Sequence, residues 1–439
     1  MMEVNRINWS TADEETKKRI LTRASMDISD QIPVVSEICA NVSARGDQAV
    51  LEYTKQFDGV NLTAIEMRVT PEEYALGKAQ VDPEVAAALR YAAKNIRAFH
   101  EAQKPQPMWM MEVDDGILAG EKVTPITDVA LYVPRGKGSF PSVLLMLGTP
   151  AVVAGVERIV VLTPPNPEGK VDPAILFVAD LLGITEMYKV GGAQAVAAAA
   201  YGTETIPKCA KILGPGNPYV TAAKRLLMGV IDPGIPAGPS EAIIVADGLA
   251  TPYKVALDLL IEAEHGPDSA SLLVTDSESL ADAVLHDLEQ LIATIKNPMR
   301  RAYVLEVLRR YGGIIVTKSV SDSIAFVNEY APEHLEVMIQ DPFSYLQSIV
   351  NAGEILLGEH TPITLCNFLL GPNAILPTGR HARTVSSVSL HDFLKRSSIG
   401  YVTEKALQRM APYAVAMADV EGFETHGDAI RKRFINKSS

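Results

Sequence analysis

The strongest constraint on this chain is a change of texture at about residue 129. From there short β-rich runs alternate with helical runs. The β-rich runs are Ala130–Val133, Arg158–Leu162, Met187–Val190, Lys211–Leu213, Glu241–Ala246 and Ser271–Thr275. Between them lie Ser142–Ala154, Pro173–Leu182, Ala193–Tyr201, Pro218–Met228 and Thr251–His265. Strand, helix, strand repeated in this way specifies an α/β fold with largely parallel sheets. In such sheets ligands are expected at the loops after strand C-termini. A second α/β run follows, through Leu280–Ile295, Ile314–Thr317, Ser321–Tyr330 and Glu354–Leu357.

The flanks read differently. The first 100 residues are mostly helical: Ile32–Gly46 is one candidate, and Pro83–Lys104 repeats apolar residues at helical spacing until Pro105 and Pro107 stop it. Residues 108–126, with Gly116 and Gly120, read as a hairpin. After Ser386 the pattern is helical to the end, through Leu390–Lys395, Thr403–Val420 and Thr425–Phe434.

Composition narrows the function classes. A chain of 439 residues is long enough for two or more domains and a sizeable core. The net charge of −13 argues against a nucleic-acid partner, which calls for a basic surface. Cys39, Cys209 and Cys366 are sparse and unpaired by spacing, which fits a reducing compartment. The N-terminus has no apolar signal region, and Val143–Val156 is too short to span a membrane. The implied setting is the cytoplasm.

Several stretches could carry chemistry. Glu262 and His265 are three apart before Gly266-Pro267, where glycine suits a left-handed helix end and proline stops the helix. Paired this way they could hold a divalent metal, though spacing alone fits a solvated polar face better. Gly191-Gly192-Ala193-Gln194 and Gly214-Pro215-Gly216-Asn217 each follow a β-rich run and open a helix. Such turns offer backbone N–H groups to an anion, or serve as plain strand-to-helix turns. Neither is G-x-G-x-x-G, so the usual dinucleotide fingerprint is absent. Ala331-Pro332-Glu333-His334 stands before a β-like run and puts a carboxylate beside an imidazole, which suits proton transfer or an exposed loop. Ser240, in the loop Pro236–Glu241, offers a hydroxyl to a ligand or closes the turn. Arg135 with Lys137, and Arg380, His381 and Arg383, are basic clusters; Cys366 reads as a core or loop thiol. No G-x-S-x-G, P-loop or H-E-x-x-H pattern is present.

Taken in order, L-Y-V-P (131–134), G-G-A-Q-A (191–195), G-P-G-N (214–217), A-G-P-S-E (237–241), A-E-H-G-P-D-S (263–269), A-P-E-H-L (331–335) and E-G-F-x-x-H (421–426) resemble the histidinol dehydrogenase family from about residue 27 to Arg433. The resemblance implies a pair of incomplete Rossmann-like domains with small helical terminal elements. By position these are an arm at 1–27, a first α/β domain at 28–131 and 240–388, a nucleotide-binding domain at 132–239, and a tail at 389–439 packed on a partner subunit. It implies oxidation of L-histidinol to L-histidine through the aldehyde, with two hydride transfers to NAD and one zinc per site, in a homodimer with a shared active site. Carried over by position, His334 is the general base and Glu333 activates water. Tyr132, Gln194 and Asn217 contact NAD. Ser142, Ser240 and Glu421 touch substrate, and Glu262, His265, Asn367 and His426 hold zinc. Glu421 and His426 come from the partner.

The chain departs from the family pattern at Glu262, where the family carries Gln, and at Asn367, where it carries Asp. The two changes exchange a carboxylate across the site, so metal binding is expected to persist. Ala374 stands where the family has a histidine that meets substrate, and Arg135, Lys137 and 379–383 are more basic than usual. These departures raise the alternative of a member retargeted to another, anionic, alcohol or diol. A non-catalytic ligand-binding relative is the remaining reading, and retention of Glu333, His334, His265 and His426 argues against it.

Overall fold

Two parallel sheets carry the larger of the protein's two units, which spans residues 1–103 and 126–393. The computed structural model describes residues 4–23, 28–135, 138–236 and 238–434, so Lys137 and Ala237 lie outside the described residues. In chain order, β1 (Arg6–Asn8) belongs to the second of these sheets. The hairpin β2 (Met108–Asp114) and β3 (Ile117–Pro125) belongs to the smaller unit. Then β4 (Asp128–Tyr132), β5 (Arg158–Thr163), β6 (Glu186–Lys189) and β7 (Lys211–Leu213) form the first sheet, in the order β6-β5-β4-β7. β8 (Glu241–Ala246), β9 (Ala270–Thr275), β10 (Gly313–Val316), β11 (His334–Met338) and β12 (Glu354–Leu357) join β1 in the second, in the order β1-β10-β9-β8-β11-β12. All pairings within these two sheets are parallel.

Strand periodicity explains the layers. Ala130, Tyr132, Val160 and Leu162 face a core shared with the helices Ile32–Arg45 and Gly192–Tyr201. Their neighbours Val129, Leu131 and Val161 face the opposite core, with the helices Pro83–Ala102, Pro141–Ala154 and Pro173–Leu182. In the second sheet Ile244 and Ala246 face one core, and Ile243 and Val245 the other. Every residue of β8 and β9 is buried, as parallel strands covered on both faces must be. Each fully buried Val, Leu or Ile here contributes roughly 1.5–3 kcal/mol. Helix starts are written locally. Asp82, Asp172 and Asn217 cap the helices that open on Pro83, Pro173 and Pro218, each accepting a backbone N–H.

The smaller unit holds residues 104–125 and the chain from 394 on. Its antiparallel sheet has the order β13-β3-β2, where β13 is Leu394–Val402. The helices Glu404–Val420 and Glu424–Arg431 complete it. The hairpin is as expected, but the helical reading after Ser386 is corrected. Only Leu390–Phe393 forms a short 3-10 turn before β13 pairs with β3 along its whole length. A tertiary partner overrides a run whose own periodicity is ambiguous.

β4 runs through Tyr132, so a boundary at 131/132 falls inside a strand of the first sheet. The helices Ile32–Arg45 and Pro83–Ala102 pack on the first sheet, whereas Ile20 of the helix Glu14–Thr22 packs on the second. β1 and Arg23, both in the expected arm, are built into the second sheet and its surroundings.

Candidate active site

The chemically dense region lies where strands of the second sheet begin. Glu241, His334 and Glu354 are the first residues of β8, β11 and β12. Glu262 sits in the last turn of the helix Pro252–Ala263, and Asn367 lies in the helix Ile363–Phe368. In parallel α/β packing, helices that lead into strands end at this edge. Their unpaired carbonyls, the negative pole of the helix, favour cations and protons there. The expectation of ligands after strand C-termini is therefore reversed for this sheet.

Glu262 is wholly buried. Its Oε1 accepts from Asn367 Nδ2 at 3.1 Å and stands 3.9 Å from His334 Nε2. Its Oε2 has no hydrogen-bond partner, although His265 Nδ1 is 3.1 Å away. The ring nitrogen and the carboxylate oxygen face each other as an ion pair, at a separation that two donors to one cation could also take. His265 Nδ1 is also 3.0 Å from Ser240 Oγ, and its side chain is half exposed. Burial pushes the Glu262 carboxyl up, but His334, His265 and the Asn367 amide outweigh it and hold it below its ordinary value. Glu262, His265 and Asn367 thus fit a zinc site with one position left to another donor. Among the described residues no group of three or more His, Cys, Asp or Glu is placed to hold a metal ion; here Glu262 and His265 supply two such residues and Asn367 an amide.

His334 is buried between carboxylates. Its Nδ1 bonds Glu354 Oε1, and its Nε2 lies 3.8 Å from Glu333 Oε1. Burial alone would lower its affinity for a proton, but Glu354, Glu262 and Glu333 reverse this and raise it to about 10. Burial first, and the neighbouring carboxylates after it, push Glu333 up to about 8 against the pull of His334. Glu333 Oε2 accepts from the Glu241 backbone N–H at 2.8 Å. His334 is the first residue of β11 and not part of the preceding loop, as the sequence pattern had it.

The turn that presents these two residues is strained and braced. Ala331 adopts φ 54°, a left-handed conformation costly for a residue with a Cβ. Arg23 donates to the carbonyls of Tyr330 at 2.8 Å and Ala331 at 3.3 Å, and to both Glu241 oxygens at 2.5 and 2.6 Å. Its guanidinium also lies 3.9 Å from the centre of the Tyr330 ring.

The expected cofactor residues gather at the opposite kind of edge, where strands of the first sheet end. Tyr132 closes β4, and its buried hydroxyl accepts from Gly192 N at 3.1 Å. Gln194 is buried, and neither atom of its amide has a partner. A Cβ at Gly214 would stand 2.1 Å from the Tyr132 carbonyl oxygen, and φ is +124°, so only glycine fits that turn. Asn217 spends its carbonyl on the N–H groups of Tyr219 and Val220 as a helix cap. The orphaned Gln194 amide and the side-chain-free turns fit a dinucleotide laid against helix N-termini.

Other expected positions separate. Ser142 is half buried in the first turn of Pro141–Ala154. Glu421 and His426 lie exposed in the smaller unit, where both line a groove of about 590 Å³. Gly266 does not take the left-handed conformation; the helix ends at Ala263 without it. Ala374 packs against the core of the first sheet. Arg380 and Arg383 both donate to the Glu329 carbonyl, and Arg135 to that of Pro165. Sequence reasoning missed Glu354, Glu336, Asp258 and Arg23. The available signal was a carboxylate inside the apolar runs of β11 and β12, where a buried parallel strand should carry none.

These features define a class: a two-sheet α/β protein with a glycine-turned edge on one sheet and a buried cluster of carboxylates around a histidine on the other. A family model described as Histidinol dehydrogenase matches residues 21–434. The chain is 50% identical over 432 residues to a "Histidinol dehydrogenase homolog" of Cereibacter sphaeroides, covering 98% of each. It is 48% identical over 411 residues to a "Histidinol dehydrogenase" of Synechocystis sp., covering 94% of each. The crystal structure of histidinol dehydrogenase from Elizabethkingia anophelis is 36% identical and superposes with a TM-score of 0.93, covering 99% of this chain and 98% of that one. The chain belongs to the histidinol dehydrogenase family.

Proposed function

We propose that this protein is a zinc- and NAD-dependent dehydrogenase that oxidises a polar primary alcohol through the aldehyde to the carboxylate. L-Histidinol to L-histidine is the best single reaction. The observation that carries this reading is the convergence of Glu262, His265, Asn367, Glu333 and His334 in one cluster, buried apart from the half-exposed His265 and the partly exposed Asn367. When bound, NAD would accept a hydride in each oxidation, and zinc on Glu262, His265 and Asn367 would polarise the alcohol oxygen and weaken the hold of His334 on its proton.

His334 takes the hydroxyl proton at Nε2, the nitrogen that does not face Glu354. Glu333, within 3.8 Å of that nitrogen, takes a proton from the water that adds to the aldehyde. The wall of buried carboxylates and apolar strands keeps bulk water from the aldehyde. Tyr132, Gln194 and Asn217 contact the cofactor, and Ser142 and Ser240 the substrate. The enzyme works as a cytoplasmic homodimer in which Glu421 and His426 complete the partner's site. Support for that last point is that both are exposed beside apolar Met417 and Phe423, which a partner would cover.

NADH formation over a panel of histidinol, amino alcohols and anionic diols, with and without chelator, tests the reading. Turnover that is strongest on histidinol and lost with chelator is expected. Tight NAD binding with no turnover on any alcohol would leave a ligand-binding relative. Mixing His334→Ala with His426→Ala subunits should restore part of the activity if sites are shared.

A further inference from the structure

The geometry points to Glu354 and Cys366 as positioning residues that decide which nitrogen of His334 is free to take a proton; this rests on the reading of His334 as the base. His334 and Glu354 are register partners in the parallel pair β11–β12. Laterally paired residues of a sheet project to the same face, so the carboxylate is placed beside the ring by the sheet itself. Glu354 Oε1 bonds His334 Nδ1, and Glu354 Oε2 accepts the thiol proton of Cys366. All three side chains are buried.

A carboxylate on Nδ1 keeps the proton there and leaves the lone pair of the neutral ring on Nε2. That nitrogen faces Glu333 at 3.8 Å and Glu262 at 3.9 Å, the side on which the donor set converges. Without Glu354, the ring could hold its proton on Nε2 or turn over, and either state removes the base. Cys366 has the opposite task, since its thiol holds the second Glu354 oxygen and so the carboxylate plane. The nearest alternative acceptor for the thiol, the Pro372 carbonyl, is 4.0 Å away. Cys366 and Asn367 are successive residues of one short helix, so a single element orients the carboxylate behind the base and the carboxylate of Glu262.

The test uses the full-length protein labelled with 15N-histidine, with His334 assigned by comparison with His334→Gln. In the neutral ring, Nδ1 should show a protonated-nitrogen shift and Nε2 an unprotonated one. Glu354→Leu should mix the tautomers and lower kcat by about 10²–10⁴-fold with KM within about twofold. Glu354→Gln, whose amide oxygen still accepts from Nδ1, should keep the tautomer and most of the rate. Cys366→Ala should lower kcat by roughly 10-fold, and Cys366→Ser, which restores a donor, should rescue it. A neutral ring protonated on Nε2 in the unaltered protein would overturn the assignment, and so would an unchanged kcat in both Glu354→Leu and Cys366→Ala. If the protein oxidises no alcohol, the enzymatic reading fails while the tautomer measurement still decides the positioning role.

Discussion

The two parallel sheets are built alike but use opposite edges. The first sheet presents its strand C-termini, where Tyr132, the Gly191-Gly192 turn and the Gly214 turn lead into helix N-termini. Its polar groups are a tyrosine hydroxyl, backbone N–H groups, an unpaired glutamine amide and the buried Lys224, which donates to the Gly214 carbonyl at 2.6 Å. The second sheet presents its strand N-termini, where helices end and Glu241, Glu262, Glu333, His334 and Glu354 crowd together. Helix polarity accounts for the division. The positive pole at helix N-termini suits an anionic cofactor, and the negative pole at helix C-termini suits a metal cation and protons. One fold thus presents two edges of opposite helix polarity.

Removing the charge on either side of this contrast should expose it. Arg23→Leu leaves Glu241 buried without its cation and should destabilise the fold by about 3–5 kcal/mol, read as a lower urea midpoint. An unchanged midpoint would show that the second edge does not depend on that brace. His334→Ala should cut kcat by about 10²–10⁴-fold while leaving the NAD dissociation constant unchanged, because base and cofactor sit on different edges. Loss of NAD affinity in parallel would merge the two sites.

Glu336 tests the charge of the second edge from behind. It is buried on β11 next to Asp258, and burial first, then the charge and hydrogen bond of that carboxyl, raise it from 4.5 to about 10. The folded state therefore holds this proton more tightly than the unfolded chain. The stability it gives is fully present below about pH 4.5 and is lost as pH rises toward about 10. Glu336→Gln should gain roughly 2–3 kcal/mol near neutral pH and nothing in acid. A gain that did not change with pH would refute the linkage. The smallest effect is expected at the edge of the first sheet. Gln194→Ala should weaken NAD binding by about 1 kcal/mol, roughly fivefold, with metal content untouched. If elemental analysis showed zinc lost in this variant, the edges would not be independent.

Legibility in the sequence follows the same division. The glycine turns of the first edge could be read directly, because glycine followed by a helix start is a local signal. Glu262 and His265 were visible as a pair, but their spacing fitted a solvated face. The burial of Glu262 comes from β8, β11 and the helix Ile363–Phe368 closing over it, which no window of sequence reports. Glu354 went unnoticed because its partner is 20 residues away and is set by strand register. β13 was missed for the same reason, since its strand character comes from pairing with β3 some 275 residues earlier (Ile399 with Gly120, for example).

By itself the sequence determined the α/β class, most helix starts and the hairpin, because periodicity, caps and proline act over a few residues. It also held the ordered motifs that place the chain in its family. Only the tertiary structure decided that the charged site lies at strand N-termini, that Glu354 and Cys366 stand behind His334, and that Arg23, just past the helix Glu14–Thr22, braces the turn before it. Those contacts join residues tens to hundreds of positions apart. They form only once the parallel sheets set their register and burial forces each charge to find a partner.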